Sequence, residues 1–157
     1  MNPLTGAWSL LDWSVQGAAG ERSQPFGERP RGILVYTADG TMCSSFSRAA
    51  RAPLGLSLAE ITAARRYWMG GGGEPPPTAL RERFVEAALH FNSYGGRYTL
   101  AGERVHHDVE VALFPDWIGK RLTRTFRVDG ASLTLSFEAG GQTDTLTWLS
   151  RNSGTGS

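Results

Sequence analysis

The stretch YGGRYTLAGERVHHDVEVALFPDW, residues 94–117, determines the predicted fold. It reads as two β-strands joined by a tight turn at Ala101 and Gly102, followed by a bend at Pro115. From Val105 onward, apolar and polar side chains alternate, which is typical of a strand with one face in a core or cavity and the other in water. We therefore predict a β-hairpin with one buried face.

The second strand of this hairpin carries a histidine on its apolar face. The residues predicted to point inward are Val105, His107, Val109, Val111 and Leu113. A buried imidazole needs partners, because leaving a buried polar group unpaired costs about 1–3 kcal/mol. His107 is therefore either a functional residue in a cavity or a structural residue whose hydrogen bonds are made within a filled core.

Composition predicts a folded globular domain and excludes some partners. The chain has 157 residues and a formal net charge of +1, so neither nucleic acid nor an anionic membrane surface is an expected partner. Cys43 stands alone, which excludes an internal disulfide and favours a reducing compartment. The sequence shows no signal peptide and no apolar run near the roughly 20 residues of a membrane span. We expect a cytoplasmic protein.

Eight strands are predicted in sequence, with turn residues between most of them. They cover residues 6–16, 32–37, 41–47, 94–100, 104–113, 120–128, 132–138 and 143–150. In the first strand the apolar parity changes between Leu10 and Leu11, which indicates either a bulge or two covered faces. Asp39-Gly40 and Asp129-Gly130 are strong hairpin signals.

A helical insertion is predicted between the third and fourth strands, at about residues 53–92. Ser57 and Glu60 have capping-box spacing, and a second helix is predicted from about Thr78 to Asn92. We expect a single domain over residues 1–151 that includes this insertion, followed by a flexible tail at residues 152–157.

Eight sequential antiparallel strands can pack as a sandwich or close into a barrel. A closed up-and-down barrel leaves no exposed edge, and its interior can hold one small ligand. The periodicity of the strands alone does not decide between the two.

Further polar side chains are predicted on the inward faces. Arg124 shares a face with apolar neighbours in the sixth strand, and Tyr94 and Tyr98 point inward from the fourth. In a cavity, His107 would move protons, Arg124 would hold a carboxylate or enolate oxygen, and the tyrosines would donate hydrogen bonds. In a filled core, the same groups would form a structural network, with Arg124 tied to an acid such as Asp144 or Asp12. Both interpretations remain open at the level of the residues.

Other chemistry is not supported by the motifs. There is no Gly-x-Ser-x-Gly elbow and no dinucleotide fingerprint, and the glycines at 70–73 lack the context of a phosphate loop. His106, Asp108 and Glu110 share one face, which we interpret as a charged surface and not as a metal site. We therefore expect no metal and no cofactor.

The first strand carries Gly6-Ala-Trp8, which matches the Gly-x-Trp signature of lipocalins. A more specific ordered set of motifs is Gly32-x-Leu-x-Tyr36, Asp39-Gly-x-Met42, Tyr94-x-Gly-Arg-Tyr98, His107, Pro115-x-Trp117, Gly119, Arg124, Leu133-x-Leu135 and Trp148-x-x-Arg151. This set resembles the bacterial and fungal lipocalin-like domain family of small intracellular proteins. The resemblance implies a closed barrel with an internal cavity. The fold prediction is thus a mainly β protein, an eight-stranded antiparallel up-and-down lipocalin-like barrel with a helical insertion between strands three and four.

Related lipocalin-like barrels include carriers of apolar molecules and cofactor-free cyclases or isomerases. The resemblance therefore implies, first, a cofactor-free isomerase, cyclase or dehydratase that acts on a small, partly apolar oxygenated metabolite of natural-product type. The alternative is a non-catalytic carrier that binds a small hydrophobic ligand, and a third hypothesis is a structural or interaction domain with a filled barrel.

The site prediction names catalytic residues and ligand contacts. The catalytic residues are His107 as the acid and base, with Arg124 and Tyr94 stabilising an oxyanion. The ligand contacts are Tyr36, Met42, Phe46, Tyr98, Val109, Val111, Trp117, Phe126, Leu135 and Trp148. The expected partner is a small apolar or amphipathic molecule, and a homodimer is one assembly that we consider.

Overall fold

The computed structural model describes residues 1–152, which form two compact units. One unit comprises residues 1–49 and the chain from Phe91 onward, and we call it the barrel unit. The other comprises residues 50–90, and we call it the helical unit. Of the predicted tail, only Asn152 lies within the described residues.

The barrel unit contains nine strands and one short 3-10 turn. The strands are β1 (Gly6–Gln16), β2 (Arg22–Ser23), β3 (Arg31–Tyr36), β4 (Thr41–Ser47), β5 (Phe91–Ala101), β6 (Arg104–Ala112), β7 (Arg121–Asp129), β8 (Ser132–Ala139) and β9 (Gln142–Ser150), and the 3-10 turn is Pro115–Trp117. The two-residue strand β2 lies where the sequence predicted only a loop.

All neighbouring strands are antiparallel, and the sheet closes on itself. The order is β1-β3-β4-β5-β6-β7-β8-β9, with β9 pairing back onto β1 and β2 attached to the other part of β1. Eight long strands therefore form a closed barrel, which confirms the predicted mainly β, eight-stranded antiparallel fold. Closure removes the free sheet edges that a sandwich would leave.

A bulge in β1 explains its change of parity. The pairing of β1 with β9 shifts register between Leu10 and Asp12. Leu10 is buried in the core, whereas Leu11 is 51% exposed on the outside. Of the two alternatives for this strand, the bulge is the one that forms.

A second bulge, between β5 and β6, corrects one predicted orientation. The pairing shifts register between Gly95 and Gly96, so one extra residue of β6 opposes this point. An extra residue reverses the alternation beyond it. Val111, predicted to point inward as a ligand contact, is therefore 64% exposed on the outside, and Ala112 packs against the core instead.

The N-terminal residues close one end of the barrel. Leu4 is fully buried in the core, and its carbonyl oxygen accepts a hydrogen bond from the Trp8 indole nitrogen at 2.9 Å. The Asn2 amide nitrogen donates to the Tyr98 hydroxyl at 2.6 Å. These contacts seal the end where the β3–β4 and β5–β6 turns lie.

The helical unit contains helices α1 (Leu58–Trp68) and α2 (Thr78–Leu89). The predicted capping box is present, because Ser57 and Glu60 exchange side-chain and backbone hydrogen bonds. The second helix ends at Leu89, three residues before the predicted end, since β5 already begins at Phe91. Within residues 1–152, no helix combines the length and the apolar content that crossing a bilayer requires.

Candidate binding site in the barrel interior

His107 lies at the centre of a tyrosine cluster in the barrel. Its side chain is fully buried on the inner face of β6. Its Nε2 atom lies 2.7 Å from the Tyr36 hydroxyl, and its Nδ1 atom lies 3.0 Å from the Tyr94 hydroxyl. A neutral imidazole has one donor and one acceptor nitrogen, so one tyrosine donates to the ring and the other accepts from it.

The environment of His107 favours the neutral ring. Burial, with the positive charge of Arg124 as a second cause, lowers the pKa of His107 to about 3. Burial also raises the pKa values of Tyr36 and Tyr94. At neutral pH the three groups are therefore an uncharged hydrogen-bonded chain.

Tyr98 belongs to the closed end of the barrel. Its hydroxyl donates to the Thr37 carbonyl oxygen at 2.8 Å and accepts from Asn2 at 2.6 Å. Its ring packs edge-on against Tyr36, with 4.7 Å between the ring centres. Tyr98 is thus inward-facing and buried, as predicted, but its hydroxyl is occupied by protein groups.

Arg124 projects from the inner face of β7 and remains partly exposed. Its guanidinium carbon lies 3.8 Å from the centre of the Phe137 ring, and one of its nitrogens donates to the Thr123 carbonyl oxygen at 3.1 Å. The positive charge also acts on Tyr94, whose pKa it lowers against the effect of burial.

The two acids considered as partners of Arg124 in the filled-core alternative make other contacts. Asp12 faces outward and pairs with Arg22 at 3.0 Å. Asp144 points inward, but its Oδ1 atom accepts from the Trp13 indole nitrogen at 2.9 Å. Among residues 1–152 the ion pairs are Arg22–Asp12 and Arg121–Asp108, so the alternative in which an acid pairs with Arg124 is not the arrangement found there.

Part of the apolar lining of the barrel is only partly buried. Several inward side chains there are only partly buried although they pack against the core: Trp13, Ala112, Trp117, Leu122, Phe126 and Phe137. Trp117 contacts Tyr94, with 5.7 Å between the ring centres. The structure therefore brings the partly exposed side chains of Trp117 and Arg124 next to the buried Tyr94.

The remaining predicted contacts lie in the packed core. Met42, Phe46, Val109, Leu135 and Trp148 are each at most 7% exposed. They point inward as predicted, and their role as ligand contacts stays a prediction.

Sequence reasoning missed the contribution of the loop before β3. Phe26, in this loop, packs edge-on against Trp13 at 4.8 Å and lies 5.7 Å from Phe46 between ring centres. The loop thereby covers part of the barrel end opposite the N-terminal seal. Phe26 is a single large aromatic residue within a polar, proline-containing segment. This contrast was the signal in the sequence that could have indicated that the loop packs over the barrel.

A family model described as a lipocalin-like domain matches residues 5–151 of the chain. The chain belongs to the lipocalin-like domain family. The match extends over nearly the whole of this lipocalin-like protein and includes the helical unit as well as the barrel strands. None of the curated protein sequences compared with it matches.

Two solved structures are similar to this lipocalin-like protein at low sequence identity. One is the crystal structure of an uncharacterized protein from Bacteroides eggerthii, with 9% identity, a TM-score of 0.43, and coverage of 92% of this chain and 98% of that chain. The other is the crystal structure of a mutant of the fluorescent protein UnaG, with 11% identity, a TM-score of 0.38, and coverage of 94% and 95%.

Proposed function

We propose that the barrel binds a small, partly apolar molecule whose anionic oxygen contacts Arg124 and Tyr94. The observation that carries this proposal is an inward, partly exposed guanidinium without a carboxylate partner among residues 1–152. A cation on an apolar face is costly unless it is paired. The planar guanidinium matches a carboxylate or enolate, to which it donates strong charge-assisted hydrogen bonds.

The surroundings of Arg124 support an apolar body for the ligand. Trp117, Leu122 and Phe137 are apolar side chains that pack against the core and remain partly exposed, and binding sites typically combine such side chains with a few polar groups. His107 acts as a positioning residue, because its hydrogen bond fixes the Tyr94 hydroxyl beside Arg124.

The proposal is tested with a matched pair of fluorescent probes, 2-naphthoate and its neutral methyl ester. Charge-assisted hydrogen bonds contribute about 1.5–3 kcal/mol, so Arg124→Gln should weaken 2-naphthoate binding by roughly 10- to 100-fold. Binding of the ester should change little. Arg127→Gln is the control, because Arg127 is exposed on the outer face of the same strand.

Two results would contradict anion binding at Arg124. One is a parent protein that does not bind 2-naphthoate at millimolar concentration. The other is an equal loss of acid and ester binding in Arg124→Gln, which would mean that the side chain contributes only packing.

A second candidate function is cofactor-free acid–base catalysis, as an isomerase, cyclase or dehydratase of an oxygenated metabolite. The hydrogen-bonded chain Tyr36–His107–Tyr94 favours it. Tyr94 would give its proton to a substrate oxygen and, as a phenolate held by a hydrogen bond from His107, would take back the proton that the substrate releases from carbon. No net proton is then lost, and the imidazole stays neutral throughout.

Catalysis and binding are distinguished by what happens to the ligand. The protein is incubated with a metabolite extract of its own host, and the extract is analysed by mass spectrometry. A metabolite consumed by the parent but not by Tyr94→Phe supports catalysis. Recovery of a bound metabolite in unchanged form, with no other metabolite consumed, supports binding alone.

A further inference from the structure

Asp144 is a buried carboxylate with few partners. It points inward from β9 and is 8% exposed. Within the described residues, its hydrogen bond comes from the Trp13 indole nitrogen, at 2.9 Å, and no Lys or Arg lies within ion-pair distance. A carboxylate can accept about four hydrogen bonds, so most of its capacity is unused.

Asp144 lies close to the surface that presents Arg124. It pairs directly with Phe137 across β8 and β9. The other neighbour of Phe137 is Arg124, whose guanidinium lies 3.8 Å from the ring centre. The inner surface thus carries a cation, an aromatic ring and a carboxylate in a row that crosses three adjacent strands.

The two charges of this row do not neutralise each other. Neither Arg124 nor Asp144 takes part in the ion pairs found among residues 1–152. Adjacent strands are about 4.8 Å apart, so the backbones that carry these charges are roughly 10 Å apart. A molecule of the size of a fused aromatic ring system can reach both groups at once.

We infer that Asp144 accepts a hydrogen bond from the same ligand that Arg124 holds. The ligand is then a hydroxy acid or amino acid-like molecule with an anionic oxygen at one end, a hydroxyl or ammonium donor at the other, and an apolar spacer beside Phe137 and Trp13. This inference rests on the proposed binding of an anionic ligand. It adds a second polar anchor that defines the ligand class.

The alternative role for Asp144 is purely structural, as the acceptor that orients Trp13. Trp13 packs against Phe26 and Phe46, so an acceptor that fixes its ring would stabilise this aromatic cluster. That role predicts no dependence of ligand affinity on a donor group. The two roles therefore differ in a measurable way.

The test compares 6-hydroxy-2-naphthoate with 6-methoxy-2-naphthoate, which differ in the donor and share the carboxylate. The parent should bind the hydroxy acid about tenfold more tightly than the methoxy acid. Asp144→Asn should bring this ratio close to one without weakening binding of 2-naphthoate, because its oxygen stays with Trp13 and its NH2 group, in place of the second carboxylate oxygen, cannot accept from the ligand hydroxyl. Asp12→Asn, on the outer face, should leave the ratio unchanged.

The outcomes separate this inference from the proposed function. One outcome is that 2-naphthoate binds in an Arg124-dependent way while the hydroxy and methoxy acids bind with equal affinity. This result overturns the role of Asp144 and leaves the proposed anion binding in place. Failure of the parent to bind 2-naphthoate overturns both. If Asp144→Asn does not fold, the inference is tested on the parent protein by carbon-13 NMR of the Asp144 carboxyl group. Only the hydroxy acid should shift this signal. An equal shift with both acids overturns the inference.

Discussion

The guanidinium carbon of Arg124 lies over the ring of Phe137, 3.8 Å from the ring centre. A ring face attracts a cation and leaves the edge of the guanidinium, with its N–H groups, free to donate. Phe137 therefore contacts Arg124 without neutralising its charge. An acidic partner at this position would oppose the anion binding that we propose.

Replacing the ring should weaken anion binding. Phe137→Leu keeps an apolar side chain but removes the ring face, and a cation–π contact contributes about 0.5–2 kcal/mol. We expect 2-naphthoate affinity to fall by roughly 2- to 30-fold in a fluorescence titration. Leu122→Ala is the control for apolar contact, because it should weaken the acid and its methyl ester alike. A Phe137→Leu protein with parental affinity for the acid would contradict the role of the ring.

Stability should depend on pH through His107. Its folded pKa of about 3 lies below the usual value of 6.5, so the unfolded chain binds more protons between these limits. The contribution of His107 is therefore complete above pH 6.5 and is lost as the pH falls through about 3. Between pH 6.5 and 4 the loss should be on the order of 3 kcal/mol.

Urea unfolding at several pH values measures this dependence. His107→Gln retains a donor and an acceptor but does not titrate, so its free energy of unfolding should vary less over the same interval. Parallel pH profiles for the parent and His107→Gln would show that other groups cause the acid sensitivity.

Removing either tyrosine hydroxyl should destabilise the barrel. Tyr36→Phe and Tyr94→Phe each leave one nitrogen of the buried imidazole without a partner, which costs about 1–3 kcal/mol. Tyr67→Phe, at a partly exposed position in α1, should change stability by less than about 0.5 kcal/mol. Chemical denaturation measures all three. Losses no larger than that of Tyr67→Phe would mean that the imidazole finds other partners.

The bulge between β5 and β6 should depend on Gly96. A Cβ atom at this position would lie 2.1 Å from the Asp108 carbonyl oxygen, so Gly96→Ala forces the two strands apart. We expect a loss of more than about 2 kcal/mol, in the range of severe single substitutions. Thr99→Ala, exposed on the same strand, is the control. A Gly96→Ala protein with a parental unfolding midpoint would show that the strands adjust freely.

The strands were predictable because their signals are local. Alternation and Asp-Gly or Gly-Gly turns occur within a few residues, and they indicated the eight long strands of the barrel. The bulge that turns Val111 outward was not predictable in this way, because it depends on how β5 and β6 pair. The consequence was one ligand contact assigned to the wrong face.

The polar interior was predictable only in part. Parity placed His107 and Arg124 on inward faces, but their partners come from distant strands. The hydrogen bonds from His107 reach Tyr36, 71 residues away, and Tyr94, 13 residues away. Asp144 was one of several candidate partners for Arg124, and it accepts from Trp13 instead. Side-chain geometry determines this pairing, and the pattern of residue types does not indicate it.

The pairing of two tyrosines with one imidazole also restricts how these groups can rearrange. A neutral ring carries a single proton, so the hydroxyls of Tyr36 and Tyr94 cannot both donate to it. If a ligand makes Tyr94 reverse its role from donor to acceptor, the ring must change tautomer, and Tyr36 must reverse as well. Two side chains on separate strands, β3 and β5, therefore switch together or not at all.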